Sequence, residues 1–233
     1  MRIPTSICAT VVAVATATLA LTSAAGASAA PPKCADLSGV VVGQTCQLRA
    51  TDPAYTLSID YPIDYPDQVA VTDYIKQTRD GFLNVAKMPG PRDMPYEMDT
   101  TAAEYGSALP PRGSDSVVFK TYQSVGGAHP TTFYKAFNWD QALKKPITID
   151  SLFREGTAPF PIILPLVQAE VDKQLGQPVA IAPEAGLDPT KYQNFAITND
   201  TLIFFFSQGD ILPEAAGALQ IAIPRGPVDA MIA

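Results

Sequence analysis

The segment Ile203-Phe-Phe-Phe206 restricts the fold more than any other. It is apolar on both faces of a strand, so it belongs in a sheet covered from both sides. Left exposed, such a run would invite aggregation. The stretch 192–198 precedes it across Asn199-Asp200, a two-residue connection that tolerates positive φ, so the pair reads as a hairpin. Leu219, Ile221 and Ile223 alternate in a further strand beyond the loop 213–217. A sheet of this kind needs a layer on each face, and the rest of the chain must supply both.

Two segments have a helical period. In 66–87, Val71, Tyr74, Ile75, Thr78, Phe82 and Val85 form one stripe, and Met88-Pro-Gly-Pro91 stops it. In 161–175, Ile163, Leu166, Val167, Val171 and Leu175 point one way. Pro161 suits the first helical position, Pro165 lies near the first turn, and Gly176 follows the end. Strand periodicity runs through 55–61, through 96–102, and through 116–124 and 131–138, which Gly126-Gly-Ala-His-Pro130 joins. A short strand is expected at 147–149, then a helical turn capped by Asp150, and a short helix at 228–232. Short connections and about eight strands around two main helices give an α+β fold with mostly antiparallel sheets.

Arg2, the apolar stretch 7–21 and the small residues 22–30 have the layout of a secretory signal peptide, too short to cross a bilayer. Of the two cleavage registers, cutting after Ala30 would place Pro31 behind the scissile bond, so the cut is expected after Ala29. The mature chain, 30–233, then reads as a single secreted domain with halves 30–115 and 116–233, and it contains no further span. Cleavage removes Arg2 and Cys8, making the net charge one unit more negative than the whole chain's −7. Cys34 and Cys46 remain, and in an exported chain they are expected to pair. Closing that loop contributes roughly 3 kcal/mol in the chain-entropy view.

A pI near 4.6 argues against nucleic acid, since no basic surplus exists to neutralise phosphates. The sequence contains no nucleophile elbow, zinc-binding His-Glu-x-x-His, P-loop or dinucleotide glycine fingerprint. His129 is the single histidine, and its Gly-Gly-Ala-His-Pro setting suggests a turn with a structural or binding role. No cofactor and no metal site are expected. Asp60, Asp64 and Asp67 cluster, as do Glu97, Asp99 and Glu104, and a glycan hydrolase would need only two such carboxylates. Trp139, the single tryptophan, ends a strand and could stack on a sugar.

Several motifs together resemble the mycobacterial secreted immunogenic protein family. They include Asp52-Pro-Ala-Tyr55, Tyr65-Pro-Asp-Gln68, Gly126-Gly-Ala-His-Pro-Thr-Thr132, Lys135-Ala-Phe-Asn-Trp-Asp-Gln141, Tyr192-Gln-Asn-Phe-Ala196 and Leu212-Pro-Glu-Ala-Ala-Gly217. The match extends over essentially the whole mature chain. The C-terminal half is also similar to an exported domain of unknown function found in a lysozyme-sensing anti-sigma factor and beside polysaccharide deacetylases. Thr201 departs from the glycine expected after Asn-Asp. The resemblance implies a secreted, antigenic α+β protein with a β-grasp-like element and no established catalytic residues.

The resulting expectation is a secreted, monomeric, non-catalytic immunogenic or effector protein. Its ligand would be another protein, lysozyme-like or from a host, or a cell-envelope component, with Gly126, Gly127, His129 and Trp139 as candidate ligand-binding residues. The negative charge would favour encounter with a basic partner. An envelope-glycan binding module and a carboxylate-dependent glycan hydrolase are the alternatives.

Overall fold

Seven strands form one sheet in the order in which the chain lays them down. They are β1 (Val40–Val42), β2 (Thr45–Asp52), β3 (Tyr55–Pro62), β4 (Tyr96–Ser107), β5 (Ser114–Ser124), β6 (Thr131–Asp140) and β7 (Lys145–Pro146). The computed structural model describes residues 33–90, 94–109, 113–126 and 129–233. The signal segment with its cleavage site at Ala29 and Ala30, the turn residues 110–112, and Gly127 lie outside the described residues.

All neighbouring pairs are antiparallel except β3 and β4. That pair is parallel because α1 (Gln68–Ala86) carries the chain back between them, as a crossover must. Asp67 caps the helix by accepting from the Ala70 N–H. Val71, Ile75 and Phe82 bury their side chains with Leu48, Ile59, Met98 and Phe119 of the sheet. Each such burial contributes roughly 1.5–3 kcal/mol. Tyr74 adds ring contacts to Phe119 and Phe137. A Cys34–Cys46 disulfide ties the segment before β1 to β2.

The Phe-rich strand lies where its two apolar faces demand. β8 (Phe195–Ile197), β9 (Thr201–Phe206) and β10 (Leu219–Pro224) form an antiparallel sheet with β9 in the middle. Phe204 and Phe206 join the core shared with α3 (Phe160–Leu175), in which Ile163, Val167 and Val171 are buried. Ile203 and Phe205 join Val118, Tyr134 and Ala136 on the β5–β6 part of the large sheet. The layers are therefore α1, large sheet, small sheet, α3. Polar groups clasp the two sheets. Asn138 Nδ2 donates to Phe195 O at 2.9 Å, and buried Arg225 reaches Ser107 Oγ and Thr198 O at 3.2 Å each.

The α+β class, the mostly antiparallel sheets and both main helices agree with the sequence reading, and α1 laid across the large sheet gives the expected grasp. Three local expectations need correction, and one segment adds strands that none of them covered. The segment before residue 55, for which the sequence reading gave no strand, forms β1 and β2; the three valines of β1 are all exposed, whereas β2 turns Cys46 and Leu48 to the core. The short strand falls at Lys145–Pro146, so Ile147 is free to enter the core. The helical turn Ile149–Leu152, α2, is capped by Thr148, whose hydroxyl accepts from the Ser151 N–H, and not by Asp150. Neither Asn199 nor Asp200 has positive φ. Asn199 instead turns its side chain to the Ala108 N–H at 2.8 Å, using the hairpin tip to bind the end of β4.

Candidate functional site

The candidate ligand residues do not converge. Gly126 and His129 lie at the tip of the β5–β6 hairpin, both exposed, whereas Trp139 is at the opposite end of β6. Trp139 is ten positions along the chain from His129, a span of about 33 Å when extended. Trp139 is half-buried and packs on the core beneath α1. Gly126 has φ of +79°, and a Cβ there would come within 3.1 Å of the Tyr96 hydroxyl. Its glycine therefore has a folding reason. Tyr61 and Tyr134 are buried, and Tyr55 and Tyr122 half-buried.

The concave surface lies elsewhere. β3 and β4 pair only as far as Ile59 and Thr100, and beyond that point the two strands part. A cavity of about 510 Å³ opens in this fork, lined by Gln47, Asp60, Thr101 and Glu104 among others. Glu104 also borders a neighbouring cavity of about 240 Å³ with Asp64, Tyr105, Asp115 and Ser116. Tyr65, shared by that cavity, borders a third of about 160 Å³ with Asp67 and Lys135. The shared residues make these three one trough with five carboxylates and one amine.

The carboxylates differ in their partners. Asp60 holds the Arg49 guanidinium with both oxygens, at 2.7 and 2.9 Å. Asp67 caps α1, and Asp115 accepts from Gln141 Nε2 at 2.8 Å. Asp64 and Glu104 are exposed and have no hydrogen-bond or ion-pair partner among the described residues. The field is felt by Tyr65. Burial raises its phenol far above the ordinary range, and the nearby charges of Asp67 and Asp115 raise it further.

Ser116, which borders the trough, is not paired with the single histidine. Ser116 Oγ donates to Asn138 Oδ1 at 2.6 Å, and β6 register places Asn138 nine residues from His129, about 30 Å away. Among the described residues no group of three or more His, Cys, Asp or Glu side chains could hold a metal ion. Both acidic clusters of the sequence contribute to the trough, Asp60, Asp64 and Asp67 from one and Glu104 from the other. Glu97 and Asp99 lie outside it, on the paired part of β4. Asp115 and Tyr65 have no local sequence signal, because strand register alone brings them there.

Residues 150–226 match the family model described as a protein of unknown function, DUF3298. A DUF3298 family protein from Pseudomonas aeruginosa has the same fold at 13% identity, with a TM-score of 0.55, covering 81% of this chain and 94% of that one. A Mycobacterium tuberculosis protein named an esterase is 52% identical over 203 residues, 87% of this chain and 89% of its own length. That relative overturns the expectation of a non-catalytic protein. The expectation rested on missing histidine, zinc and nucleotide motifs, and ester hydrolysis also proceeds with carboxylate bases and hydroxyl donors, which leave no short sequence signature. The immunogenic protein MPT64 of Mycobacterium tuberculosis is 54% identical over 210 residues, covering 89% of this chain and 92% of its own. With nearly the full length of that relative covered at this identity, the chain belongs to the family of the mycobacterial immunogenic protein MPT64.

Proposed function

We propose that this is a secreted, monomeric protein that receives a cationic group of a protein or cell-envelope partner in the acidic trough between β3 and β4. The observation that carries the reading is the uncompensated pair Asp64 and Glu104 beside Asp115, in adjoining cavities whose single amine is Lys135. A net charge of −7 draws basic partners toward the molecule, and the trough gives that attraction a place to act. The test is interferometry of the mature chain against c-type lysozyme, a basic probe protein, at low and physiological salt. Saturable binding that weakens with salt and falls at least about tenfold in Asp64→Asn/Glu104→Gln supports the trough. Binding unchanged by salt or by that double variant removes it.

A second reading follows from the esterase relative. In it, Glu104 is the base that takes a proton from water as the water oxygen adds to an ester carbonyl. Hydrolysis of p-nitrophenyl acetate by the purified chain, lost in Glu104→Gln with the fold intact, would support it. Turnover at the rate of buffer would end it.

A further inference from the structure

We propose that the partner enters the trough as an extended strand added to the free edge of β4, carrying Lys or Arg at alternate positions. The inference rests on the reading that the trough takes a cationic partner, and it specifies how that partner is held.

Strand β4 is longer than its parallel neighbour can cover. Its pairing with β3 stops at Thr100, yet its pairing with β5 continues to Ser107. From Thr101 onward its other side faces the fork. Among the described residues, no hydrogen bond reaches the backbone of 101–106 from outside β5. Thr101, Ala103, Glu104 and Gly106 are exposed.

The contrast with β6 gives this weight. β7 pairs only with Trp139 and Asp140, so β6 too has a long side without a strand. There the small sheet's connections satisfy it. The Thr132 N–H donates to Gln208, the Tyr134 N–H to Ser207 Oγ, and the Ala136 N–H to Asn194 Oδ1. An uncovered row of backbone groups is a template for another strand, and natural folds generally blunt it. On β6 the molecule has done so with three side chains. On β4 it has left a cavity of about 510 Å³, within the range of built ligand sites.

The chemistry of the occupant follows from the edge. Main-chain hydrogen bonds to 101–106 would supply affinity, and alternate side chains would supply selectivity. Ala102 and Ala103, small on either face, leave room for a neighbour's side chains. Glu104 shares its face with Ala102 and stands beside Asp64 and Asp115, so a basic side chain of the incoming strand at that level meets three carboxylates.

The probe is a synthetic peptide of three Lys-Val repeats, acetylated and amidated, compared with the same peptide N-methylated at every second residue. Methylation keeps the charge and removes the donors needed for strand pairing. The expected result is affinity about tenfold higher for the unmethylated peptide, the worth of one or two hydrogen bonds. Amide exchange at 101–106 should slow in its presence. Equal, salt-sensitive binding of both peptides would overturn strand addition and leave the charge reading intact. If neither peptide binds while lysozyme does, strand addition again falls alone. If lysozyme also fails to bind, both readings fall.

Discussion

The small sheet is sealed and the large sheet is half open. In β8–β10 both faces are covered, by α3 on one side and by β5–β6 on the other, and all residues of β9 after Thr201 are buried. In the large sheet, β2 and β3 bury one face under α1 and present Arg49, Thr56, Ser58 and Asp60 on the other. The family match to residues 150–226 coincides with the sealed region. The disulfide, α1 and the trough are contributed largely by residues before it. The segment that the family model matches is thus the most completely packed part of the molecule, whereas the trough lies where packing was left unfinished. An open face and a parted strand pair add little stability, and that leaves them free to serve recognition.

The largest test of this difference compares Phe204→Ala with Thr56→Ala. Phe204 is fully buried between two ring neighbours, Tyr192 and Phe206. Its truncation should cost about 3–5 kcal/mol in urea unfolding. Thr56, on the open face, should change stability by less than about 0.5 kcal/mol. Similar costs at the two sites would mean that the open face is covered in solution.

Next comes the disulfide. Replacing Cys34 and Cys46 by alanine should cost about 3 kcal/mol. Gly39 is so close to both sulfurs that a Cβ there would lie 2.7 Å from Cys46 Sγ, which shows how tightly the chain is folded around the bridge. Native-state hydrogen exchange should then show faster opening of β1 and β2 while β8–β10 stay protected. Parallel loss of protection in β8–β10 would make the two regions one cooperative unit.

A smaller effect separates the regions by pH. The Tyr192 hydroxyl donates to Gly186 O at 2.7 Å, and burial raises its phenol to about 12. A folded value above the unfolded one near 10 stabilises the fold fully below pH 10, and that stabilisation disappears as pH rises toward 12. Tyr192→Phe should cost about 1 kcal/mol at neutral pH and give a shallower alkaline decline between pH 10 and 12. An unchanged decline would assign it to other tyrosines, Tyr65 beside the trough foremost.

What the sequence made legible follows the same division. Ile203-Phe-Phe-Phe206 announced a strand covered on both faces because two-sided apolarity has few solutions, and the stripe from Val71 to Val85 announced α1 because amphipathic period is local. β1 was not legible: three valines between glycines have no alternation, and all three stay exposed on a sheet edge. Nor was the fork, because the point where β3 and β4 part depends on how α1 returns the chain, and no residue encodes that by itself. The acidic clusters were visible as composition. That Asp64, Glu104 and Asp115 meet, and that Glu97 and Asp99 do not join them, is set by register. At Gly126 the sequence left a structural and a binding role open, and the structure supplies a backbone reason, φ of +79° with the Tyr96 hydroxyl 3.1 Å from where a Cβ would lie; Gly126→Ala should cost about 1 kcal/mol.

The smallest expected change in stability is the one most informative about the trough. Glu104 is exposed, without a partner among the described residues, and it shares a cavity with Asp64 and Asp115. Glu104→Gln removes a charge from a like-charged group without altering shape, so it should relieve repulsion and not break a contact. In low salt the relief should be about 0.3 kcal/mol, a rise of roughly 1 °C in Tm for a chain of this size. In 0.5 M salt the Debye length falls to about 4 Å and the rise should shrink toward zero. A fall in Tm at both salt concentrations would mean that Glu104 is engaged within the fold. The trough would then belong with the finished packing of the small sheet, and the contrast between a sealed region and an open one would fail at the position where the proposed function needs it.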